Sequence, residues 1–209
     1  MKSVLILSTC YDRVSSYTAQ WAEDLHRALI KRKDTICMLY DAVSLCRAGS
    51  MLADAIDRVE YVVFFGHGSR DEWISQPARA NIQPPVAAAV VVDVGSIGLL
   101  SGKKVYAGCC WSLKGLGQAH LGVCNTGFVG YDQEFDFEFS NHAYFGDIVN
   151  QSVIAYVNGD SPQKVAADLR TEWTDLRNRF SSGYLSRQPN ASMAATAAER
   201  NSQRVGSLP

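Results

Sequence analysis

The stretch from Tyr61 to Ser112 decides the predicted fold. Its first part reads Tyr61-Val62-Val63-Phe64-Phe65 and continues into Gly66-His67-Gly68-Ser69, while its last part reads Val105-Tyr106-Ala107 and continues into Gly108-Cys109-Cys110-Trp111-Ser112. An apolar run bounded by glycine predicts a buried, parallel strand. Ligands of open α/β sheets bind just beyond the carboxyl ends of such strands. We therefore expect one strand to deliver an imidazole and its neighbour a thiol to the same sheet edge.

The segments before this stretch alternate between strand-like and helix-like patterns. Residues 4–7 and 35–40 are apolar runs typical of strands, while residues 21–29 and about 51–59 carry apolar side chains at helical spacing. The order β-α-β-α-β predicts a doubly wound, mostly parallel sheet flanked by helices, a three-layer α/β/α architecture. We also predict a strand at residues 127–131 and helices at 113–121, 139–157 and from Pro162 onward, where Ser161 is the expected cap.

Two segments of the chain have less regular patterns. Residues 76–85 contain turn residues, and residues 87–94 favour either a short strand or an inserted flap. Beyond Ser181 the composition changes to Ser, Ala, Asn and Arg with little apolar periodicity. We therefore expect one domain over residues 1–182 and a mobile C-terminal tail over residues 183–209, with a short Ala-rich helix near Ala194 as an alternative within that tail.

Composition narrows the classes of partner. The net charge of −1 gives no general electrostatic basis for binding nucleic acid or an anionic membrane, and the apolar content of 47% is ordinary for a globular domain. No apolar run approaches the roughly 18 residues needed to span a bilayer. The six cysteines include no Cys-x-x-Cys pair and no histidine falls at zinc-ligand spacing, so we expect no structural metal site. We also expect no cofactor. These patterns predict a cytoplasmic protein with mostly reduced thiols.

The residues at the two strand ends suit nucleophilic catalysis. A cysteine attacks as its thiolate, and a nearby imidazolium and a helix N-terminus, expected soon after Ser112, would both lower the pKa of the thiol. Glycine on both sides of His67 permits a close backbone approach, and the Gly68 N–H can face a developing oxyanion. Adjacent side chains of a strand point to opposite faces, so only one of Cys109 and Cys110 should meet His67.

The same residues are also compatible with purely structural roles. A single histidine at a strand end is more often a hydrogen-bonding group than a catalyst. Cysteine is among the most frequently buried residue types, so packing is the usual role of an isolated thiol. The combination of both residues behind two neighbouring strands is what favours catalysis.

These motifs together resemble the caspase-like cysteine peptidases, which include caspases, metacaspases, gingipains, separases and bacterial CHAT domains. Their signature is one hydrophobic block that ends in His-Gly and a second that ends two residues before the catalytic cysteine. Here Gly66-His67-Gly68-Ser69 is similar to the metacaspase Gly-His-Gly-Ser, and Lys104-Val105-Tyr106-Ala107 leaves two residues before Cys110. Cys110-Trp111-Ser112 is similar to the Cys-x-Ser of metacaspases and CHAT domains. The resemblance covers about residues 1 to 180.

The resemblance implies a caspase-like fold and a thiol protease that cleaves proteins or peptides. By that resemblance, Cys110 would be the nucleophile, His67 would protonate the leaving amine, and the N–H groups of Gly68 and Cys110 would hold the oxyanion. Members specific for Arg or Lys usually carry Asp two residues before the cysteine, where this chain has Gly108.

A basic substrate residue would therefore need other acids. Asp132, Glu134 and Asp136 are the candidates, since separases place an acidic specificity residue in a comparable stretch; the alternative is a solvated acidic loop. The chain carries no repeat or sensor module of the kind often fused to CHAT domains, so any regulator would be a separate protein or the C-terminal tail.

Two alternative functions remain. The hydroxyl-rich residues 8–18 are similar to the phosphate loop of flavodoxin-like folds, which would make the protein a flavin- or nucleotide-binding module. Such a loop normally needs glycine, and residues 8–18 contain none. A catalytically silent caspase-like scaffold that binds partners is the other alternative, although the presence of both His67 and Cys110 favours an enzyme.

Overall fold

The computed structural model describes residues 1–42, 50–76, 89–124 and 126–209. Its elements in chain order are β1 (Lys2–Ser8), α1 (Arg13–Ile30), β2 (Thr35–Asp41), α2 (Ser50–Asp57), β3 (Tyr61–Phe65), β4 (His67–Gly68), β5 (Glu72–Gln76), β6 (Ala89–Asp93), β7 (Lys104–Gly108), α3 (Leu116–Val123), β8 (Phe128–Tyr131), α4 (His142–Asn158), α5 (Pro162–Ser181), α6 (Ala191–Arg204) and β9 (Val205–Leu208), with short 3-10 helices at Ile97–Leu100 and Phe139–Asn141.

The central sheet has six strands in the order β2-β1-β3-β7-β8-β9. The first five are parallel to one another, and β9 alone runs antiparallel, against β8. The predicted mostly parallel sheet is confirmed. The two strands that precede His67 and Cys110 are direct neighbours, with Phe65 opposite Gly108 at their carboxyl ends.

Apolar side chains cover both faces of this sheet because successive residues of a strand point to opposite sides. Val4 and Ile6 of β1 pack in a cluster with α1, α4, α5 and α6, whereas Leu5 and Leu7 pack in a second cluster with α2 and α3. Helices therefore lie on both faces, which gives the three-layer arrangement. None of the helices in the described ranges is both long enough and apolar enough to cross a lipid bilayer.

A second, small sheet begins at the candidate histidine. Strands β4, β5 and β6 pair antiparallel, with His67 opposite Ile74 and Gly68 opposite Trp73. The short strand predicted within residues 87–94 is present as β6 and pairs with β5, so the flap alternative does not hold for it. Residues 77–85 of the predicted turn region lie outside the described residues.

The expected mobile tail over residues 183–209 is wrong. Residues 191–204 form α6, and the chain then adds β9 to the edge of the central sheet. All five alanines of α6 (Ala191, Ala194, Ala195, Ala197 and Ala198) are at most 9% exposed. Small side chains let α6 pack closely on the core, so a segment without large apolar residues still belongs to the domain.

Candidate active site

The loops that carry His67 and Cys110 meet at one edge of the central sheet. Each of these residues lies two positions beyond the paired strand ends Phe65 and Gly108. A β-carbon added to Gly68 would lie 2.6 Å from the Cys109 sulfur and 2.9 Å from the Cys110 carbonyl oxygen. The β4 backbone therefore packs directly against the two cysteine residues, and the absence of a side chain at Gly68 is what permits this contact.

Asp12, in the loop after β1, contacts the candidate histidine. Its Oδ2 lies 2.9 Å from His67 Nε2, and both side chains are partly exposed, His67 by 32% and Asp12 by 42%. The Tyr11 ring flanks the imidazole with a centroid separation of 5.4 Å. The contact arises because β1 and β3 are parallel neighbours, so the loop that follows β1 reaches the same sheet edge.

The other carboxylate oxygen of Asp12 fixes this side chain in place. Asp12 is the N-cap of α1: its Oδ1 accepts a hydrogen bond from the Ser15 backbone N–H at 2.7 Å and one from the Ser15 hydroxyl at 2.8 Å. Partial burial raises the pKa of Asp12, but the Ser15 hydrogen bonds and the His67 charge outweigh it, so the pKa lies below its ordinary value. An ionised carboxylate thus faces the imidazole.

The Cys110 thiol is partly buried beneath the loop that follows β8. The Phe135 backbone N–H points at the sulfur from 3.3 Å. Burial raises the pKa of the Cys110 thiol, and Asp136 and Glu134 raise it further, while the Phe135 N–H lowers it in part. The helix expected soon after Ser112 begins only at Leu116, and a non-helical turn separates Cys110 from its N-terminus.

The chain turns sharply between Cys110 and Ser112. Trp111 has a φ of 58°, a left-handed conformation that costs an L-residue on the order of 1–2 kcal/mol. Its N–H donates to the Gln133 carbonyl at 2.8 Å. The Ser112 hydroxyl is buried and accepts the Tyr131 N–H at 3.2 Å, so Ser112 ties the turn to β8. Strained backbone of this kind is frequent at functional sites.

The two adjacent thiols lie in different environments. Cys109 is 1% exposed and packs in the apolar cluster that contains Phe64 and Trp73. Burial places the pKa of the Cys109 thiol well above its ordinary value, and the neighbouring Cys110 adds to this shift. Of the two sulfurs, that of Cys110 is the one nearer to solvent.

The pairing between β4 and β5 determines the direction of the Gly68 N–H. Ser69 N–H donates to the Glu72 carbonyl at 2.9 Å, and hydrogen-bonded pairs alternate with non-hydrogen-bonded pairs along an antiparallel ladder. Gly68, opposite Trp73, therefore directs its N–H away from β5. The other predicted donor, the Cys110 N–H, is carried by the first turn after β7 and contributes to lowering the thiol pKa.

The three acidic candidates all face basic groups of this chain. Asp132 lies 3.7 Å from Lys114 Nζ, and Glu134 lies 3.7 Å from Arg204. Asp136 contacts both Arg204, at 3.0 Å, and Arg200, at 3.3 Å. The stretch is thus an ion-paired loop, and a basic substrate side chain would compete with these internal partners.

The Ser15 and Thr18 hydroxyls after β1 form hydrogen bonds at the start of α1. The Ser15 Oγ accepts the backbone N–H groups of Tyr11 and Asp12, both at 3.0 Å, and the Thr18 hydroxyl donates to the Ser15 carbonyl at 3.1 Å. These bonds stabilise the start of the helix. Within the described ranges, no three His, Cys, Asp or Glu side chains are grouped so as to hold a metal ion.

Asp12 was not predicted as a site residue, because residues 8–16 have only the composition of a polar loop. Two signals were available: Asp12 and Ser15 have the spacing of a reciprocal helix cap, and a loop after β1 must lie beside the end of β3 in a β-α-β unit. The distance between the carboxylate and the imidazole depends on the geometry of the loops, which the spacing of residues in the sequence does not determine. Comparison of the chain with models of known protein families and with curated proteins finds no match to either.

Proposed function

We propose that this protein is a caspase-like cysteine endopeptidase that cleaves peptide bonds through a His67–Cys110 dyad. The observation that carries the proposal is the contact between the two strand-end loops, in which the Gly68 backbone packs on Cys109 and Cys110. The Asp12 carboxylate beside His67 adds support, since a held imidazole is a requirement of proton transfer.

In the proposed reaction, His67 takes the proton of the Cys110 thiol as the sulfur attacks the carbonyl carbon of the substrate, and the Gly68 N–H stabilises the resulting oxyanion. His67 gives a proton to the amine as the C–N bond breaks, which leaves a thioester on Cys110. Water then attacks the thioester, with the imidazole taking its proton, and releases the acid and the thiol. Because Asp12 contacts Nε2, the remaining ring nitrogen, Nδ1, is the atom that exchanges protons with the substrate.

The substrate class that follows is a protein or peptide in extended form at the open sheet edge. A basic residue before the cut would have to displace Arg200 or Arg204 from the acidic loop, so Asp132, Glu134 and Asp136 are proposed as substrate contacts only on that condition. A separate regulatory protein could act through the same edge.

One observation favours a second candidate, a catalytically silent scaffold of the same fold. Burial and two acidic neighbours raise the pKa of the Cys110 thiol, which disfavours the nucleophilic thiolate near neutral pH. Such a protein would bind partners without cutting them.

Digestion of a fluorogenic peptide library separates these candidates. We expect turnover by the wild type and its loss in Cys110→Ala and in His67→Ala, with activity retained in Cys109→Ala. Turnover that persists in Cys110→Ala and disappears in Cys109→Ala would assign the reaction to the other sulfur. No turnover by any form would favour the scaffold.

A further inference from the structure

The loop that touches the Cys110 sulfur is held by the C-terminal helix. Asn201 of α6 is fully buried and bonds the backbone of Asp136 twice: its Oδ1 accepts the Asp136 N–H at 3.0 Å, and its Nδ2 donates to the Asp136 carbonyl at 2.7 Å. A side-chain amide that bonds both backbone groups of one residue fixes the position and the orientation of that residue.

Arg204 holds the same loop from the end of α6. Its guanidinium donates to the Glu134 carbonyl at 2.8 Å and to the Asp136 carboxylate at 3.0 Å, and its own carbonyl accepts the Asp132 N–H at 2.9 Å. The Arg204 side chain is only 15% exposed, so solvent screens this pairing less than it screens an ordinary surface ion pair.

Phe135 lies between the two residues that are held, and its N–H is the group directed at the Cys110 sulfur. We infer that Asn201 and Arg204 are positioning residues, which hold the Phe135 N–H on the sulfur and so make the C-terminal helix part of the thiol environment. The functional meaning of this inference rests on the proposed peptidase reaction, but the thiol itself reports it without any substrate.

Two effects of loosening this contact act in the same direction. Withdrawal of the Phe135 N–H removes a donor that favours the thiolate. Loss of Arg204 also leaves Glu134 and Asp136 without one counter-charge, and both carboxylates already raise the pKa of Cys110. The thiol should then need a higher pH to react.

The experiment measures the alkylation rate of Cys110 by iodoacetamide against pH, with peptide mapping to separate it from the other cysteines. The variants are Asn201→Ala and Arg204→Met in the full chain, with Arg204→Lys to test partial rescue by a charge alone. Glu199→Gln is the matched control. Glu199 pairs with Arg177 of α5 at 2.7 Å, so this substitution removes a contact between α6 and α5 without altering a contact between α6 and the loop.

We expect Arg204→Met and Asn201→Ala to raise the midpoint of the alkylation profile by about 0.5–1 pH unit, or about 3- to 10-fold slower labelling near neutral pH. Glu199→Gln should keep the wild-type midpoint, and the midpoint of Arg204→Lys should lie between those of the wild type and Arg204→Met. If Asn201→Ala does not fold, Arg204→Met decides the question.

A wild-type midpoint in Arg204→Met, or an equal rise in Glu199→Gln, would overturn the inference. The raised midpoint in a protein that cleaves no peptide would leave the inference standing and refute the proposed function. Peptide cleavage by the wild type, together with unchanged alkylation midpoints in the variants, would support the proposed function and refute the inference.

Discussion

Cys109 and Cys110 differ because the chain leaves the sheet between them. Cys109 follows β7 into the apolar cluster, whereas Cys110 begins the turn that passes through the left-handed conformation of Trp111. Strand alternation predicted that the two sulfurs would face different surroundings. The turn itself was not predictable, because nothing in the residue type of Trp111 favours a positive φ.

Substitution Asp12→Asn tests the role of the carboxylate beside the imidazole. Asparagine is as good a helix cap as aspartate, so α1 should keep its start, while the charge facing His67 is lost. We expect peptidase activity to fall on the order of 10-fold or more with little change in the unfolding temperature. Steady-state kinetics and thermal unfolding measure the two effects separately.

The corresponding Asp12→Ala variant removes the cap as well as the charge. It should lose a similar amount of activity and in addition about 1 kcal/mol of folding stability. Unchanged activity in Asp12→Asn would show that the carboxylate serves the helix alone.

Substitution Gly68→Ala tests the contact between the two loops. The new methyl group would meet the Cys109 sulfur and the Cys110 carbonyl, so the strand-end loops must separate. We expect a loss of activity of about 100-fold, which corresponds to the cost of moving a reacting group by about 1 Å. Gly98→Ala is the control, because nothing lies within 4 Å of the added atom. Wild-type activity in Gly68→Ala would contradict the proposed site geometry.

Large apolar residues at helical spacing predict a helix more strongly than small ones do: a short Ala-rich helix near Ala194 was only an alternative within the expected tail, and the structure has a longer helix there, α6. In α5, Val165, Leu169, Trp173 and Leu176 mark a buried face that the spacing predicted. In α6 the same role falls to alanines, whose pattern resembles that of a polar tail. The amide of Asn201 adds a buried polar contact that no hydrophobic pattern can indicate.

Substitution Ala198→Leu tests whether α6 is packed. Ala198 is fully buried, so the larger side chain must displace its neighbours, and we expect a loss of about 1–3 kcal/mol in the free energy of unfolding. Ala167→Leu provides the control, since Ala167 is exposed on α5. Chemical denaturation gives both values. An equal, small effect in the two variants would mean that the helix does not pack as described.

At the scale of the whole molecule, the parallel order and the two helical layers followed from alternating apolar segments in the first 131 residues. The sequence pattern did not predict the small sheet, because β4 has only two residues, nor the final strand, which pairs through a short Val-Gly-Ser-Leu segment. The small sheet begins at the candidate His67, whereas the final strand lies at the edge of the central sheet beside β8.

Deletion of residues 191–209 tests the unity of the domain. It would uncover the face of α5 that α6 covers and would leave β8 with an unpaired edge, which promotes aggregation. We expect a truncated chain that is poorly soluble or lacks a cooperative thermal transition. Removal of the exposed Pro209 alone should change neither property. A stable truncated form that unfolds cooperatively would mean that the C-terminal residues are a dispensable tail and not part of the domain.

The most direct test of the central claim is mass spectrometry of the intact protein and its peptides after reaction with a peptidyl acyloxymethyl ketone, an electrophile that resembles a substrate and captures a catalytic thiol. We expect a single adduct on Cys110, formed much more slowly in His67→Ala and at an unchanged rate in Cys109→Ala. An adduct on Cys109, or equal labelling of Cys110 with and without His67, would contradict the central claim.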